Sequence, residues 1–391
     1  MVNQQRGVRI GIVMSAATSR GGAEMMMMNL LRAHKASSNP VEYFVFLLDH
    51  GPMADTLRSW GYSVVEYNSG RIRDFAVFGK VILQIKRWLQ ENQIDSVLAW
   101  MTKSQLYLAP AAVLAGVPSA WFQHELPRGH WLHKLASRLP AKAIMACSNL
   151  VAHEQKKLTP GREIVVVNPS VDLDRFSTDV LPTPEEARRQ LGLPETGPII
   201  GMIARLQRWK GAHILLEAIP AILEKYPTAH FVVVGGEHFT ESDYPVELRA
   251  HVDKLANKAC VSLVGYQTDI PLWTQALDVA VVASVEEPFG MSAIEAMALG
   301  KLLAAYRAGG FLETVEDEIN GKFFSPRTGE ALAGAVDWLL TDPERSHRIS
   351  QQAKLRAATF SSTLLAKNVA DVMSRLAGQP PTNGTHRFVQ S

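Results

Sequence analysis

The sequence predicts an α/β protein of two Rossmann-like domains, each a doubly wound, mostly parallel sheet. Three observations predict it. Short apolar runs rich in β-branched residues alternate with longer amphipathic segments, the rhythm of βαβ units. That rhythm stops in a stretch rich in Pro, Asp and Thr, from Val171 to Pro198, and then restarts. The length, 391 residues of which 47% are hydrophobic and 20% charged, favours two domains over one.

In the first domain, residues 1–176, the predicted strands are VRIGIVM, VEYFVFLL, YSVVEY, IDSVLAWM, PSAWFQHE, AKAIMACS and EIVVVNPS. Helix-length segments such as GAEMMMMNLLRAHK and FAVFGKVILQIKRWLQ lie between them. The four methionines at 25–28 spread over all faces of a helix and fill gaps in a core. FAVFGKVILQIKRWLQ carries Lys80, Lys86 and Arg87 beside Trp88; its apolar stripe suits a sheet-covering helix, and a membrane-surface helix has the same pattern. The linker holds a short helix of its own. The second domain, residues 177–360, continues with PIIGMIARL, AHFVVVGG, CVSLVGY, DVAVVAS, KLLAAYRA and GKFFSP. A last helical run within 361–378, SSTLLAKNVADVMSRLA, has no strand after it and is expected to cross back and brace the first domain. The tail 379–391 is expected to be disordered, so the glycosylation-like Asn383-Gly384-Thr385 carries little weight.

Only two cysteines occur, Cys147 and Cys260, one in each half, which excludes a disulfide framework or a Cys-rich zinc site and suits buried packing residues. No apolar run approaches the roughly 20 residues of a membrane helix, and the N-terminal apolar stretch is too short for a secretory signal. The expected location is cytoplasmic. The net charge of +2 hides an asymmetry: residues 1–176 are basic by about 7 charges and the remainder acidic by about 5. A basic first half favours a phosphate-bearing partner or an anionic membrane surface, although charge spread over solvated faces would read the same way.

The chemistry-bearing residues cluster where strands end. After DVAVVAS, the stretch SVEEPFGMSAIEAMALGK turns through Pro-Phe-Gly into a helix expected to be capped by Ser292. Open parallel sheets bind ligands beyond the carboxyl ends of their strands, at helix N-termini. Gly290 lets backbone approach a ligand, and the amides after it become donors. Glu287 at the strand end and Glu295 about one helical turn later can face one cleft, where carboxylates suit the vicinal diols of a ribose or sugar. A helix dipole attracts glutamates to the same place without any ligand. Arg205 and Lys210, in ARLQRWKGAH, sit at a strand-to-helix loop and can neutralise a pyrophosphate, though such loops also carry cations for solubility; Arg208 between them is a weaker candidate. In the first domain, Gly21-Gly22 before a helix forms a backbone anion cradle. The dinucleotide pattern G-x-G-x-x-G is absent there, which argues against an NAD enzyme. His124 closes a strand beside Glu125, while His130 and His133 on the next helix suit surface or packing roles.

Taken in order, RGGAE, His124, Val167-Asn168, Val171-Asp172, Arg205 with Lys210, VVVGGE, LVGY, the pair Glu287-x7-Glu295, and Gly309-Gly310 with Glu313 resemble the retaining glycosyltransferases of family 4 (glycosyl transferases group 1). That family has the GT-B fold, two Rossmann-like domains facing a central cleft. The resemblance implies that the second domain binds a nucleotide-sugar donor and the first an acceptor. Arg205 and Lys210 would bind the donor diphosphate, Glu295 the ribose, and the amides of Phe289, Gly290, Met291 and Ser292 the sugar hydroxyls. Gly22 would offer its amide to the diphosphate, and Tyr266 marks the stretch whose backbone meets the base. Glu287, by the donor sugar, and His124, by the reacting centre, would be the catalytic pair. Glu286 is the bystander.

The family's sites work without a bound divalent metal, so no cofactor and no metal are expected, and nothing in the sequence suggests an Asp-x-Asp metal site. The expected activity is transfer of a sugar from a UDP- or GDP-sugar to a glycan, lipid-linked or other hydroxyl acceptor in polysaccharide or glycolipid synthesis. Nucleic acid is not an expected partner, whereas peripheral membrane association through the basic first domain is. Alternatives on the same fold are a nucleotide-sugar epimerase and a catalytically degenerate sugar-nucleotide-binding protein. Three departures from the family pattern, Asn168-Pro169-Ser170, Gly235-Gly236-Glu237 and Lys301, are expected to alter turns near the cleft and so bear on donor specificity.

Overall fold

A strand buried on both faces needs apolar side chains at every position, and the continuous apolar runs of this chain form such strands. The computed structural model describes residues 6–18, 21–37, 40–70, 72–127, 129–237 and 241–379; Asn383-Gly384-Thr385 and the tail from residue 380 lie outside the described residues. Strands β1 (Arg9–Met14), β2 (Glu42–Leu47), β3 (Ser63–Glu66), β4 (Ser96–Trp100), β5 (Ser119–Gln123), β6 (Ala143–Ala146) and β7 (Ile164–Val166) form one parallel sheet in the order β3-β2-β1-β4-β5-β6-β7. Strands β8 (Ile199–Ile203), β9 (His230–Val234), β10 (Val261–Gly265), β11 (Val279–Val282), β12 (Leu302–Tyr306) and β13 (Lys322–Phe324) form a second, in the order β10-β9-β8-β11-β12-β13. Every strand expected from the sequence is present.

The period of two along a strand assigns each residue to a face. On β9, Phe231 and Val233 join the core on one side of the second sheet, with Ile200, Met202 and Val281; Val232 and Val234 join the other, with Ile199, Ala280 and Leu303. Both sheets reverse strand order once, between β1 and β4 in the first and between β8 and β11 in the second. Chain leaving the carboxyl ends of these central strands diverges to opposite sides, which opens a crevice. The loops after β8 and β11 are those that carry Arg205, Lys210 and Glu287.

The chain divides into two compact units, residues 1–170 with 362–391, and residues 171–361. The helix Ser362–Leu376 belongs to the first unit, where it packs on the helix Gly22–Lys35 and on β4. Ser362 Oγ donates to Ser170 Oγ, and Arg375 Nη2 to Glu163 Oε1 at 2.5 Å. The second unit begins at Val171, ahead of the expected boundary after residue 176, because Val171 pairs with Ser361 and its N–H donates to Phe360 O at 2.9 Å. The linker helix is Pro184–Leu191, started by a capping box between Thr183 and Glu186 and stopped at Gly192, φ 68°.

The helix Phe75–Glu91 covers the first sheet with Val81, Ile85, Trp88 and Leu89. Trp88 is 4% exposed, so it does not anchor a surface. The outer side of the same helix keeps Phe75 84% and Leu83 59% exposed, with Lys80 and Arg87 among them. Met26, Met27 and Met28 are buried, as are Cys147 and Cys260. No described helix is long and apolar enough to cross a membrane.

Candidate functional site

The loop after β8 leaves Arg205 exposed, makes a 3-10 turn over Arg208–Lys210, and enters the helix Ala212–Lys225 through Gly211 at φ 88°. An L side chain at Gly211 would be strained by that φ, and its Cβ would stand 2.9 Å from Ala283 O. Lys210 turns across Trp209, its Nζ 4.2 Å from the ring centroid, and meets Glu287 Oε2 at 2.5 Å. Both side chains of this pair are largely covered, 14% and 12% exposed. Arg208 points elsewhere: it pairs with Glu241, Asp243 and Glu247 and lies over the Tyr244 ring. Among the described residues Arg205 has no ion-pair partner.

Glu287 follows β11, and two glycines fix its backbone. Gly310 N–H donates to Glu287 O at 2.7 Å, and Gly309, at φ 60°, packs so closely that a Cβ there would stand 2.8 Å from the same oxygen. Gly290 holds the N-cap of the helix Met291–Ala298 at φ 106°, with a Cβ position 2.7 Å from the Phe311 ring. Ser292 is therefore the second helical residue, not the cap expected from the sequence; only glycine suits the positive φ at the start. The amides of Met291 and Ser292 open the helix where no preceding turn supplies a carbonyl. Phe289 buries its ring edge-on against Phe360, centroids 5.3 Å apart, and its main chain lies against Gly310, where a Cβ would stand 2.4 Å from the Phe289 Cα. Glu286 is exposed.

Glu295 lines a small cavity with Ile203, Thr274, Val282 and Ser292. Burial pushes its carboxyl pKa up to about 7, with the charge of Arg175 pulling the other way. Tyr266, just past β10, is exposed and lies against Gly236. Lys210, Glu287, Phe289, Gly290, Met291, Ser292 and Glu295 thus share the carboxyl edge of β8 and β11. Lys301 does not: it precedes β12, at the opposite edge, where it is buried and donates to Gln275 O at 2.7 Å. Burial pushes its pKa down to about 8. The expectation that this departure bends a turn near the cleft is corrected, whereas Gly235 and Gly236 do stand at the carboxyl end of β9, with Gly235 N–H donating to Gly265 O.

In the first unit, Gly22 is the exposed first residue of the helix Gly22–Lys35, and Gly21 at its N-cap leaves room for the Glu24 carboxylate, whose Oε2 lies 2.3 Å from a Cβ position there. Trp100, at the end of β4, donates from Nε1 to Ala23 O at 2.9 Å and stands beside His124, ring centroids 5.1 Å apart. His124 stacks on Phe122 at 4.3 Å. Burial among these rings pushes its pKa down to about 3, so the imidazole is neutral, and its Nε2 is buried with no hydrogen-bond partner among the described residues. A buried polar atom without a partner costs free energy unless a ligand supplies one. His133 faces Glu125 at 3.5 Å, and His130 caps its helix, accepting from Leu132 N–H. Asn168 donates to Cys147 O. Among the described residues no group of three or more His, Cys, Asp or Glu is placed to hold a metal ion.

The Glycosyltransferase Family 4 model matches residues 20–175, and the Glycosyl transferases group 1 model matches residues 184–356. The chain belongs to the family 4 glycosyltransferases. A D-inositol 3-phosphate glycosyltransferase of Corynebacterium urealyticum is 30% identical over 228 residues, 57% of this chain and 54% of the relative. D-inositol 3-phosphate glycosyltransferase 2 of Catenulispora acidiphila is 33% identical over 246 residues, 61% of this chain and 56% of the relative. The chain spans about half the length of the curated relatives it matches. Among solved structures, Anabaena Alr3699/HepE in complex with UDP superposes with a TM-score of 0.79 at 24% identity, covering 94% of this chain and 100% of that one. A glycosyltransferase from Rickettsia africae gives 0.82 at 22% identity, covering 95% and 98%. The two parallel-sheet units of this family 4 chain have the GT-B fold.

Sequence reasoning missed two features of this candidate site. Lys210 and Glu287 pair directly, a contact between residues 77 apart that no local pattern encodes. Arg327, beyond β13, donates to main-chain oxygens beside Lys210, and nothing in the motif SPRTGE signals it.

Proposed function

We propose that the chain is a retaining, metal-independent glycosyltransferase that moves a sugar from a UDP- or GDP-sugar to a hydroxyl acceptor. The observation that carries this reading is the Lys210–Glu287 pair at the carboxyl edge of β8 and β11, next to the open N-terminus of the helix Met291–Ala298. A cation and a helix N-terminus suit a diphosphate whose charge grows as it leaves, and a carboxylate beside them suits sugar hydroxyls. Arg205, exposed and without an ion-pair partner among the described residues, adds a second cation. Glu295 would accept from the ribose, and deprotonation of this raised-pKa carboxyl would accompany binding. His124, held neutral, would offer a hydrogen bond without charge at the reacting centre. Retention follows either a covalent intermediate on Glu287 or a front-face displacement in which the departing phosphate takes the acceptor proton.

The acceptor would be a glycan, a lipid-linked sugar or another hydroxyl compound of polysaccharide or glycolipid synthesis. D-inositol 3-phosphate belongs in the acceptor screen because the relatives are named for it. The reading places the chain in the cytoplasm, with peripheral membrane attachment supported by the exposed Phe75 and Leu83 beside Lys80 and Arg87. Anionic vesicles that fail to sediment the protein would remove that part alone. UDP binding by Alr3699/HepE supports a uridine donor. The test is a thermal-shift screen of UDP-, GDP- and ADP-sugars followed by a transfer assay. Nucleoside diphosphate released only when acceptor is present supports a transferase; conversion of the donor without acceptor supports an epimerase; binding without either supports a degenerate binding protein.

A further inference from the structure

Lys210 owes its place to a short 3-10 turn, and such a turn ends with main-chain carbonyls that the following helix does not satisfy. Arg327 satisfies them. Its Nη2 donates to Arg208 O and to Trp209 O, each at 3.1 Å, while its Nε donates to Ala283 O at 2.8 Å. One planar guanidinium therefore ties the turn that carries Lys210 to the chain that leaves β11 toward Glu287. Trp209 O also accepts from Val285 N–H at 3.1 Å, which closes the same junction from the other side. The fit is tight at Gly211, where a Cβ would stand 2.6 Å from Arg327 Nη2. Only arginine offers several donors in a fixed fork; a lysine in its place has a point charge on a flexible stem.

We infer that Arg327 is a positioning residue of the donor site, setting the Lys210 ammonium where the donor diphosphate binds by locking the turn Arg208–Lys210 to the end of β11. The inference rests on the reading of Lys210 as a diphosphate ligand. Misplacing a binding group by about 1 Å is costly out of proportion to the distance, up to about a hundredfold.

The test is a double-mutant cycle on the full chain, with UDP and GDP as probes in calorimetric titration and circular dichroism checking the fold. Arg327→Gln weakens nucleoside diphosphate binding about tenfold when Lys210 is present and less than about twofold in the Lys210→Ala background. Arg327→Lys keeps the positive charge and serves where Arg327→Gln does not fold; it shows the same dependence on Lys210, with a raised KM for the donor and a smaller change in kcat. Equal weakening in both backgrounds, or none in either, overturns the inference while leaving Lys210 as a ligand. A wild-type chain that binds neither UDP nor GDP overturns the donor reading and the inference together.

Discussion

Replacing Glu287 by Gln is expected to tighten binding of free nucleoside diphosphate and to cripple transfer. Glu287 is the counter-ion of Lys210, 2.5 Å away, with both side chains largely shielded from water. A diphosphate must draw the ammonium from this carboxylate and sit in its field. A hydrogen bond to a charged group contributes about 1.5–3 kcal/mol net. If binding forfeits about half of that, removal of the charge returns about 0.75–1.5 kcal/mol, or roughly four- to thirteenfold in affinity. Amide for carboxylate is nearly isosteric, so the Gly309–Gly310 support under the main chain is retained. Transfer should fall by about 10²–10³, the usual cost of removing one group that stabilises a transition state. Titration calorimetry with UDP and GDP, beside a single-turnover transfer assay, reads both effects. Unchanged or weaker nucleotide affinity in Glu287→Gln would refute the competition between carboxylate and diphosphate; near-normal transfer would refute the site.

Glu295 has a pKa raised to about 7 from 4.5, so the folded state binds more protons than the unfolded one between those values, and this group makes stability fall as pH rises from about 4.5 to 7. Glu295→Gln should flatten that part of the profile in urea denaturation at pH 5 and pH 8, and an unaltered profile would rule out a buried Glu295 carboxyl. His124 has the opposite sign: its pKa of about 3 lies below the ordinary 6.5, so its contribution to stability is lost as pH falls below about 6.5. His124→Asn should remove that loss, and an imidazole resonance titrating near pH 6 by NMR would contradict the burial. Gly290→Ala meets the Phe311 ring and a positive φ, and should cost about 2–4 kcal/mol in chemical denaturation; a cost below about 0.5 kcal/mol would show that the turn relaxes freely.

The strands were legible because parallel strands covered on both faces carry runs of apolar side chains, as in residues 231–234 of β9 and VAVV of β11. The pair Glu287 and Glu295 was legible as well, since strand end, turn and helix start are consecutive in the chain. What joins distant segments was not. The Lys210–Glu287 contact and the Arg327 clamp depend on β8, β11 and β13 lying within one sheet, which only the strand order reveals. Helix starts were misread for a local reason: Ser292 is a good N-cap by type, but the φ of Gly290 decided the position. Lys301 looked close to the site along the sequence, yet the helix Met291–Ala298 carries the chain from the carboxyl edge back to the start of β12. Trp88 beside three cations matched a membrane-surface helix, and the sheet claimed its ring.

The central claim is that the crevice at the carboxyl ends of β8 and β11 holds a nucleoside diphosphate through Lys210. Thermal unfolding with UDP, GDP and ADP measures this directly, for wild type and Lys210→Ala in parallel. One nucleotide at about 100 times its Kd should stabilise the wild-type chain by about 2.7 kcal/mol, and the same concentration should stabilise the variant by at most about 1.4 kcal/mol. A chain that no nucleotide stabilises, or an equal gain in both proteins, would contradict the account.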